Sequence, residues 1–590
     1  MWCHMAKLLR QGIAQVVVIA LACFLAGCAG IPTMGPVEEI SQPPVVNGAP
    51  PVDIEPAQPM PGGNPDSILA GFLTAVASGN AGRFVVARQY LTPQAAENWD
   101  PTQGVTVYSS DNPAPIGLDK SAVLRTPVIG RIDADGHYTA VSDPSFSHNF
   151  NMTKDADGEW RIDDPGTGIF ISQYRFEQSY RAVPVYFFNK AFNRLVIENL
   201  YMNWGDATPA AAVEGLLRGP SAWLSSTALS VIPPQTRLIG GIPVQNGVAQ
   251  VSLTQQAAGL SDTQQVQMAA QLLRVLESFS YIKGVVIDVD SLPLTIRGAD
   301  AQGVVRDSTI DAYQTIVASS SQDVLGLRDD GSVVRLSSLV GAYPQPILGP
   351  LGRADWGDVP TQLAVGSDGT TLAMTSDTGL WVGSASSGQP ANEAIEATGL
   401  TRPQVDDNGV WVVANGDVPT LYQVALNGVQ ASAALTELAG AQVVAFRVAP
   451  DQSRIAVVAH FNDQDMLGLL RISSISPLTV DGWRPLVVNT GRGDLATCLD
   501  VGWVSPTQMI VLASASNDEN VVAYRLDVDA ALVESIGPIG GDAPVALSVQ
   551  PHSEGTIALV VTTSGAVLRY EDRTRWTSLV SGLVVVAQAG

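Results

Sequence analysis

Leu25-Ala26-Gly27-Cys28 is the tetrapeptide whose residue types and order most directly specify chemistry: a thiol follows small residues at the end of an apolar segment, where a lipoprotein signal is cleaved. Lys7 and Arg10 supply a positive leader. Ile13 to Leu25 is mostly apolar but interrupted by Gln15, too short and too broken for a membrane-spanning helix. Residues 1–27 are therefore expected to be removed, with Cys28 becoming the first mature residue. Met1 to His4 do not look like a signal start, which leaves Met5 as an alternative to Met1.

The other reactive side chains are scattered. The five histidines, His4, His137, His148, His460 and His552, are far apart in sequence, with neither an HExxH metal pattern nor a GxSxG nucleophile elbow around them. They read as surface or strand histidines, and no catalytic residue, metal site or cofactor is expected. Asp133-Ala134-Asp135-Gly136 and Asp155-Ala156-Asp157-Gly158 space carboxylates as calcium loops do, but neither completes a twelve-residue loop closed by glutamate. Both read as hairpin turns. Asn151-Met152-Thr153 matches a glycosylation acceptor by coincidence. Of the four cysteines, Cys3 and Cys23 lie in the discarded segment and Cys28 would be acylated, so Cys498 has no partner for an intramolecular disulfide and reads as a buried, inert thiol. Trp356, Trp381, Trp411, Trp483, Trp503 and Trp576 could form a glycan or protein contact surface, but packing between strands is the default reading.

Positioning such residues takes several folded bodies. The chain of 590 residues is too long for one core, and 46% hydrophobic against 15% charged residues supports folded domains. A formal charge of -24 argues against nucleic acid or anionic lipid as a direct ligand. From Cys28 to Pro65 the chain is crowded with proline and small residues and cannot build a core. Proline favours extended chain at ~3.1 Å per residue, so roughly 35 residues reach up to ~100 Å.

Asp66 opens a helical pattern through Ile68, Leu69, Phe72, Leu73 and Val76, and a second helical patch runs from Phe84 to Tyr90. Short strands are expected at Val105 to Ser109, Val128 to Ile132, His137 to Val141, Phe146 to Met152 and Trp160 to Ile162, forming an antiparallel sheet in a cystatin-like or nuclear-transport-factor-like α+β domain over 66–182. A second α+β domain is expected over 183–300. Its strands are Val183 to Phe188, Arg194 to Met202, Thr236 to Ile242, Val248 to Leu253 and Val285 to Val289. Its helices are Pro209 to Leu217, stopped by Gly219-Pro220, and one capped by Ser261 with Gln264.

Beyond Ala318 a loose repeat takes over: a strand, a turn rich in Asp, Gly, Ser or Pro, and a second strand. It recurs at Leu363 to Met374, Asp406 to Val413, Val448 to Val458, Trp503 to Leu512 and Gln550 to Leu559, at spacings of roughly 40–55 residues that suit four-stranded propeller blades. The hairpin from Val324 to Leu336 would let the first and last strands share a closing blade. The expected fold is two small α+β domains followed by a β-propeller over 318–590 with five or six blades, six fitting slightly better.

Leu25, Ala26, Gly27 and Cys28 resemble the bacterial lipobox, which implies a diacylglyceryl thioether and an N-acyl chain on Cys28. Each buried acyl methylene contributes about 0.8 kcal/mol, so two or three chains anchor stably where one does not. The order of parts resembles the actinobacterial LpqB lipoprotein family. The most specific stretches are Val183-Pro184-Val185-Tyr186-Phe187, Leu216-Leu217-Arg218-Gly219-Pro220, Ile232-Pro233-Pro234-Gln235-Thr236 and Val248-Ala249-Gln250-Val251-Ser252-Leu253, which look like a GerMN-type domain. The resemblance implies a non-catalytic accessory of an MtrA–MtrB-type two-component system, lipid-anchored on the extracytoplasmic face of the cell membrane and touching the external part of the sensor kinase. It offers no catalytic motif to carry over. The rival readings are an envelope protein that binds peptidoglycan or glycan, separated by sedimentation with purified wall, and a hydrolase using the propeller funnel, which a plugged funnel would argue against.

Overall fold

The computed structural model describes residues 56–590 apart from 79–83, 110–115, 119, 206, 315–322, 337–342, 356–357, 538, 540, 551–556 and 590. The signal segment, the lipobox with Cys28, the tether to residue 55, and the positions of His4, Trp356 and His552 lie outside the described residues.

Helix Pro65–Ala77 starts one residue ahead of the Asp66 signal, because the Asn64 side chain accepts from the Ser67 amide and Pro65 takes the first turn, where no backbone donor is needed. Its buried face, with Ile68, Leu69, Phe72, Leu73 and Val76, packs into an aromatic core that includes Trp99 and Phe150. The single antiparallel sheet expected here is corrected to two four-stranded sheets. In one, Val105–Tyr108 pairs antiparallel with Val128–Ile132 and parallel with Ile169–Ser172. In the other, Ser121–Arg125 lies between Ile116–Leu118 and Ser147–Lys154. Ile169-Phe170-Ile171 is buried on both faces, so it lacks the alternation that marks a half-exposed strand.

The next unit pairs Tyr180–Phe188 with Leu195–Asn203 and sets Val248–Leu253 parallel to Gly284–Val289. A parallel pair requires a crossover, and helix Asp262–Glu277 supplies it. The capping box of Ser261 and Gln264 is present in full, and helix Pro209–Arg218 ends at Gly219 with φ +90°. The strand expected from Thr236 to Ile242 is corrected: only Leu238 bridges to Leu253, and pairing resumes at Val244–Gln245. Pro233, Pro234 and Pro243 cannot donate to a ladder, and Gly240 takes φ +73°, so the segment crosses the sheet edge once.

From Val324 onward the described residues form six four-stranded antiparallel sheets. The first combines Val324–Leu327, Val333–Leu336 and Gln345–Pro346 with the C-terminal Val585–Gln588, which pairs along Val324–Leu327. The others begin at Gln362, Gln404, Gln442, Leu495 and Pro544. Turns between first and second strands use the residues the repeat displays: Asp368 accepts from the amides of Thr370 and Thr371, both at 2.8 Å, while Gly369 takes φ +68°. An apolar cluster fills each gap between successive sheets. Leu327 with Leu363 joins the first to the second, Val412 lies with Ala373, Phe446 with Trp411, Val501 with Val458, and Leu547 with Ile510. Val561 with Val334 returns from the sixth sheet to the first. The tryptophans Trp411 and Trp503 are buried in these gaps, as packing predicts.

Candidate functional site

Two arrangements bring polar and charged side chains together: the face where the second α+β unit meets the sheets, and the channel lined by the innermost strands. Arg194 opens strand Leu195–Asn203 and reaches across that face. Its guanidinium donates to the Pro450 carbonyl at 2.6 Å and pairs with Asp407. From the opposite side Arg454, 3% exposed, donates to the Ile197 carbonyl at 2.6 Å while pairing with the fully buried Asp451. The guanidiniums of Arg471 and Arg484 both lie over the Trp223 ring, at 5.7 and 5.8 Å, and its indole N–H donates to the Gly482 carbonyl. Thr227 donates to the Ile472 carbonyl at 2.9 Å. These contacts match donors on one unit with acceptors on the other, so each unit satisfies buried polar groups that its neighbour would otherwise leave unpaired.

Farther along the same face, the Tyr201 hydroxyl sits 3.2 Å from Asp527 and 3.1 Å from Asp529. One hydroxyl has one proton, so it cannot serve both carboxylates at once. Burial pushes Asp527 up to about 7, with the Asp529 charge adding to it, and burial pushes Asp529 up to about 6. Nearby, burial raises the Glu198 carboxyl, but hydrogen bonds from His137 and Ser221 outweigh it and hold the group below its ordinary value.

The channel is lined by the first strands of the second to sixth sheets and by the C-terminal strand. It encloses a cavity of about 110 Å³. Arg402, just ahead of strand Gln404–Asp406, donates to the carbonyls of Leu363, Leu547 and Val586, which belong to three different sheets. Arg402 and Arg447 share one carboxylate, Asp500, at 3.5 and 3.3 Å, and Asp500 also accepts from the Val501 and Leu547 amides, both at 2.9 Å. Burial, then the Arg447 charge, lowers Arg402 to about 10.

The sequence-predicted chemistry sits elsewhere. Asp133 and Asp155 each accept two backbone amides of their own turns, those of Asp135 and His137 and those of Asp157 and Glu159, which is what hairpin turns require. His137 lies 3.6 Å from Glu198, His148 stacks on Phe170, and His460 pairs with Asp465 at 2.7 Å; the three share no site. Among the described residues no group of three or more His, Cys, Asp or Glu side chains could hold a metal ion. Cys498 is 1% exposed, and burial followed by the Asp465 charge pushes its thiol up to about 12. A thiol reagent at pH 8 is therefore expected to label it only after denaturation; labelling of the folded protein at the rate of free cysteine would refute this. Sequence reading missed Arg194, Tyr201, Arg402 and Arg447, because nothing local separates a docking arginine from a solvated one.

Two α+β units and six consecutive four-stranded sheets define a modular, β-rich protein. Family models agree with that division: "Lipoprotein LpqB, N-terminal domain" matches residues 58–177, "Sporulation and spore germination" matches 184–295, and "Lipoprotein LpqB beta-propeller domain" matches 331–586. The chain is 30% identical to Lipoprotein LpqB of Cutibacterium acnes over 97% of its own length and 98% of that relative. It is 27% identical to Lipoprotein LpqB of Mycobacterium tuberculosis over 68% and 70% of the two chains. The chain belongs to the LpqB lipoprotein family, whose members are membrane-anchored lipoproteins. Among solved structures, TolB from Acinetobacter baumannii aligns with TM-score 0.33 and 13% identity, over 56% of this chain and 86% of that one. Among the described residues no helix is long and apolar enough to cross a membrane.

Proposed function

We propose that this chain is a non-catalytic lipoprotein, anchored through acylated Cys28 on the extracytoplasmic face of the cell membrane, that regulates an MtrA–MtrB-type two-component system by contact with the sensor kinase. Its parts are a signal at 1–27 with lipobox residues Leu25, Ala26 and Gly27, a tether at 28–65, α+β domains at 66–182 and 183–300, and a propeller at 318–590. The six sheets are its six blades, closed by pairing of Val585–Gln588 with Val324–Leu327, a reading supported by the apolar clusters between all successive sheets.

One observation carries the reading as a contact protein: Arg194, Arg454, Trp223 and Tyr201 clamp the second α+β unit to the sheets, making a broad preorganised surface. The Arg402 guanidinium, bonded to carbonyls of three sheets, crosses the funnel space that a propeller hydrolase would need for substrate. A lipid anchor raises the effective concentration of such a surface around another membrane protein, so modest intrinsic affinity suffices.

Labelled palmitate is expected to be incorporated into the wild type and lost in Cys28→Ala; persistent labelling would place the anchor elsewhere. Full-length protein in detergent is expected to retain the kinase's external domain above a control carrying an unrelated receptor domain. Equal retention of both would defeat the kinase reading.

A further inference from the structure

The face between the second α+β unit and the sheets ends in titratable groups drawn from all three parts of the chain. Strand Leu195–Asn203 runs along that face, with Arg194 just ahead of it and Tyr201 near its end, ~23 Å apart at ~3.3 Å per extended residue. The Arg194 end is held by a guanidinium on a carbonyl oxygen, that of Pro450. The Tyr201 end is held by a hydroxyl between two carboxylates, with Tyr201 3% and Asp527 5% exposed. The first unit closes this corner: the Tyr138 ring lies 5.6 Å from that of Tyr201, and Ala531 packs against the first unit's core.

With both aspartates ionised, this corner is short of protons and of positive charge. Asp527 accepts from Gln508 and Asp529 from the Ala531 amide, each at 3.0 Å, and the Tyr201 hydroxyl donates to one of the two carboxylates alone. A single added proton removes the deficit: the protonated carboxyl donates to the Tyr201 oxygen while Tyr201 donates to the other carboxylate. The surrounding charges do not replace that proton. From strand Leu478–Pro485, Arg484 attracts Asp529, but the same guanidinium faces Glu198 and Arg454. From the first unit, Tyr138 faces Asp529 with Glu177 beside it, and His137, which lies against Asp133, is 3.6 Å from Glu198. One shared guanidinium thus stands against two desolvated carboxylates.

We infer that docking of the α+β units on the sheets is coupled to a proton: the face closes with that proton held among Tyr201, Asp527 and Asp529, and loosens when it leaves. Burial raises both carboxyls, Asp527 to about 7 and Asp529 to about 6, which places the change between pH 5 and pH 8. The docked form holds a proton that the parted form, with its carboxyls in water, releases, so docking weakens as pH rises. The contacts of the Trp223 indole and the Thr227 hydroxyl with carbonyls of the sheets involve no group that titrates in that interval. Charge on the aspartates therefore sets the strength of a face whose remaining bonds stay constant. The device goes beyond the reading as a contact protein and holds whichever partner the chain meets.

The test uses full-length protein in detergent carrying Thr227→Cys. Thr227 is 1% exposed and donates to the Ile472 carbonyl across the face, so a reagent reaches a thiol in its place when the units part. Labelling, relative to the same protein unfolded at each pH, is expected to be at least about tenfold faster at pH 8 than at pH 5.5, while Cys498 within the sheets stays unlabelled. Adding Asp527→Asn, whose amide donates at both pH values, is expected to reduce that ratio to about threefold or less, and adding His137→Gln to leave most of it. Hydrogen exchange of strand Leu195–Asn203 in the unsubstituted protein, corrected for the chemical rate, reads the same opening and should rise in parallel. A ratio near one, equal acceleration at Cys498, an unchanged ratio with Asp527→Asn, or its loss with His137→Gln would each overturn the inference. Far-ultraviolet circular dichroism at each pH separates a variant that has lost docking from one that has lost the fold.

Discussion

Arg454→Met is expected to be among the most destabilising single substitutions in the chain. Arg454 is 3% exposed, and its partner Asp451 is fully buried. Removing one member of a buried ion pair leaves the other charged and unpaired at a cost of about 3–5 kcal/mol. Asp451 keeps bonds from the Ser453 amide at 2.9 Å and hydroxyl at 2.7 Å, which places the loss toward the lower end of that range. A second effect falls on docking, because the same guanidinium donates to the Ile197 carbonyl of the α+β unit. Denaturant unfolding should therefore show lower stability, and limited proteolysis should show earlier cleavage between the α+β units and the sheets. The double variant Asp451→Asn with Arg454→Met removes the orphaned charge and should recover part of the stability. A double variant no more stable than Arg454→Met would contradict the ion-pair account.

The second large effect is on pH. Asp527 and Asp529 have folded values of about 7 and about 6 against 3.8 for an ordinary aspartate, so between those limits the folded protein holds protons that the unfolded chain releases. Stabilisation from this pair is fully present below about pH 4 and is lost as pH rises through about 6 and then about 7. His137 acts in the same direction: burial lowers its pKa, but Glu198 and Asp133 outweigh burial and raise it, so its contribution also fades as pH rises. Glu198 acts in the opposite direction, but its contribution is lost only below its ordinary value of 4.5. Arg484 attracts Asp529, and Gln508 donates to Asp527 at 3.0 Å; both ease ionisation without reversing the effect of burial. The expected result is a higher unfolding temperature at pH 5 than at pH 8. In Asp527→Asn, whose amide can donate where the acid's proton would, that difference should shrink, and stability at pH 8 should rise. A tenfold difference in proton affinity between folded and unfolded chain corresponds to about 1.4 kcal/mol, so the change is on the order of a few kcal/mol for the pair. An unchanged pH difference in Asp527→Asn would assign the dependence to other groups.

Much of the architecture was legible because it rests on local signals. Ser261 and Gln264 cap their helix, Gly219 stops another, and the Asp-Gly turns at Asp133 and Asp155 close hairpins through backbone amides. The repeat beyond Ala318 was visible because the sheets reuse a strand, turn and strand pattern, with Asp and Gly at the tight position in turns such as Asp368-Gly369. The failures have a common cause. Ile169–Ser172 is buried on both faces and pairs in parallel with a strand some sixty residues earlier, so neither alternation nor a neighbouring turn announces it. Thr236 to Ile242 reads as a strand, but between flanking prolines and with left-handed Gly240 it keeps a single bridge, Leu238 to Leu253.

By itself the sequence determined the sites where helices start and stop, and it sets the expectation of an anchor at Leu25 to Cys28, since these depend on residues adjacent in the chain. Only the tertiary structure decided which charges matter. Arg194 meets Asp407, Tyr201 meets Asp527 and Asp529, and Arg402 crosses to Leu547 and Val586, contacts between residues 145 to 328 positions apart. A guanidinium or carboxylate has the same composition whether solvated or buried; its energy is set by the desolvation and partners that long-range packing supplies.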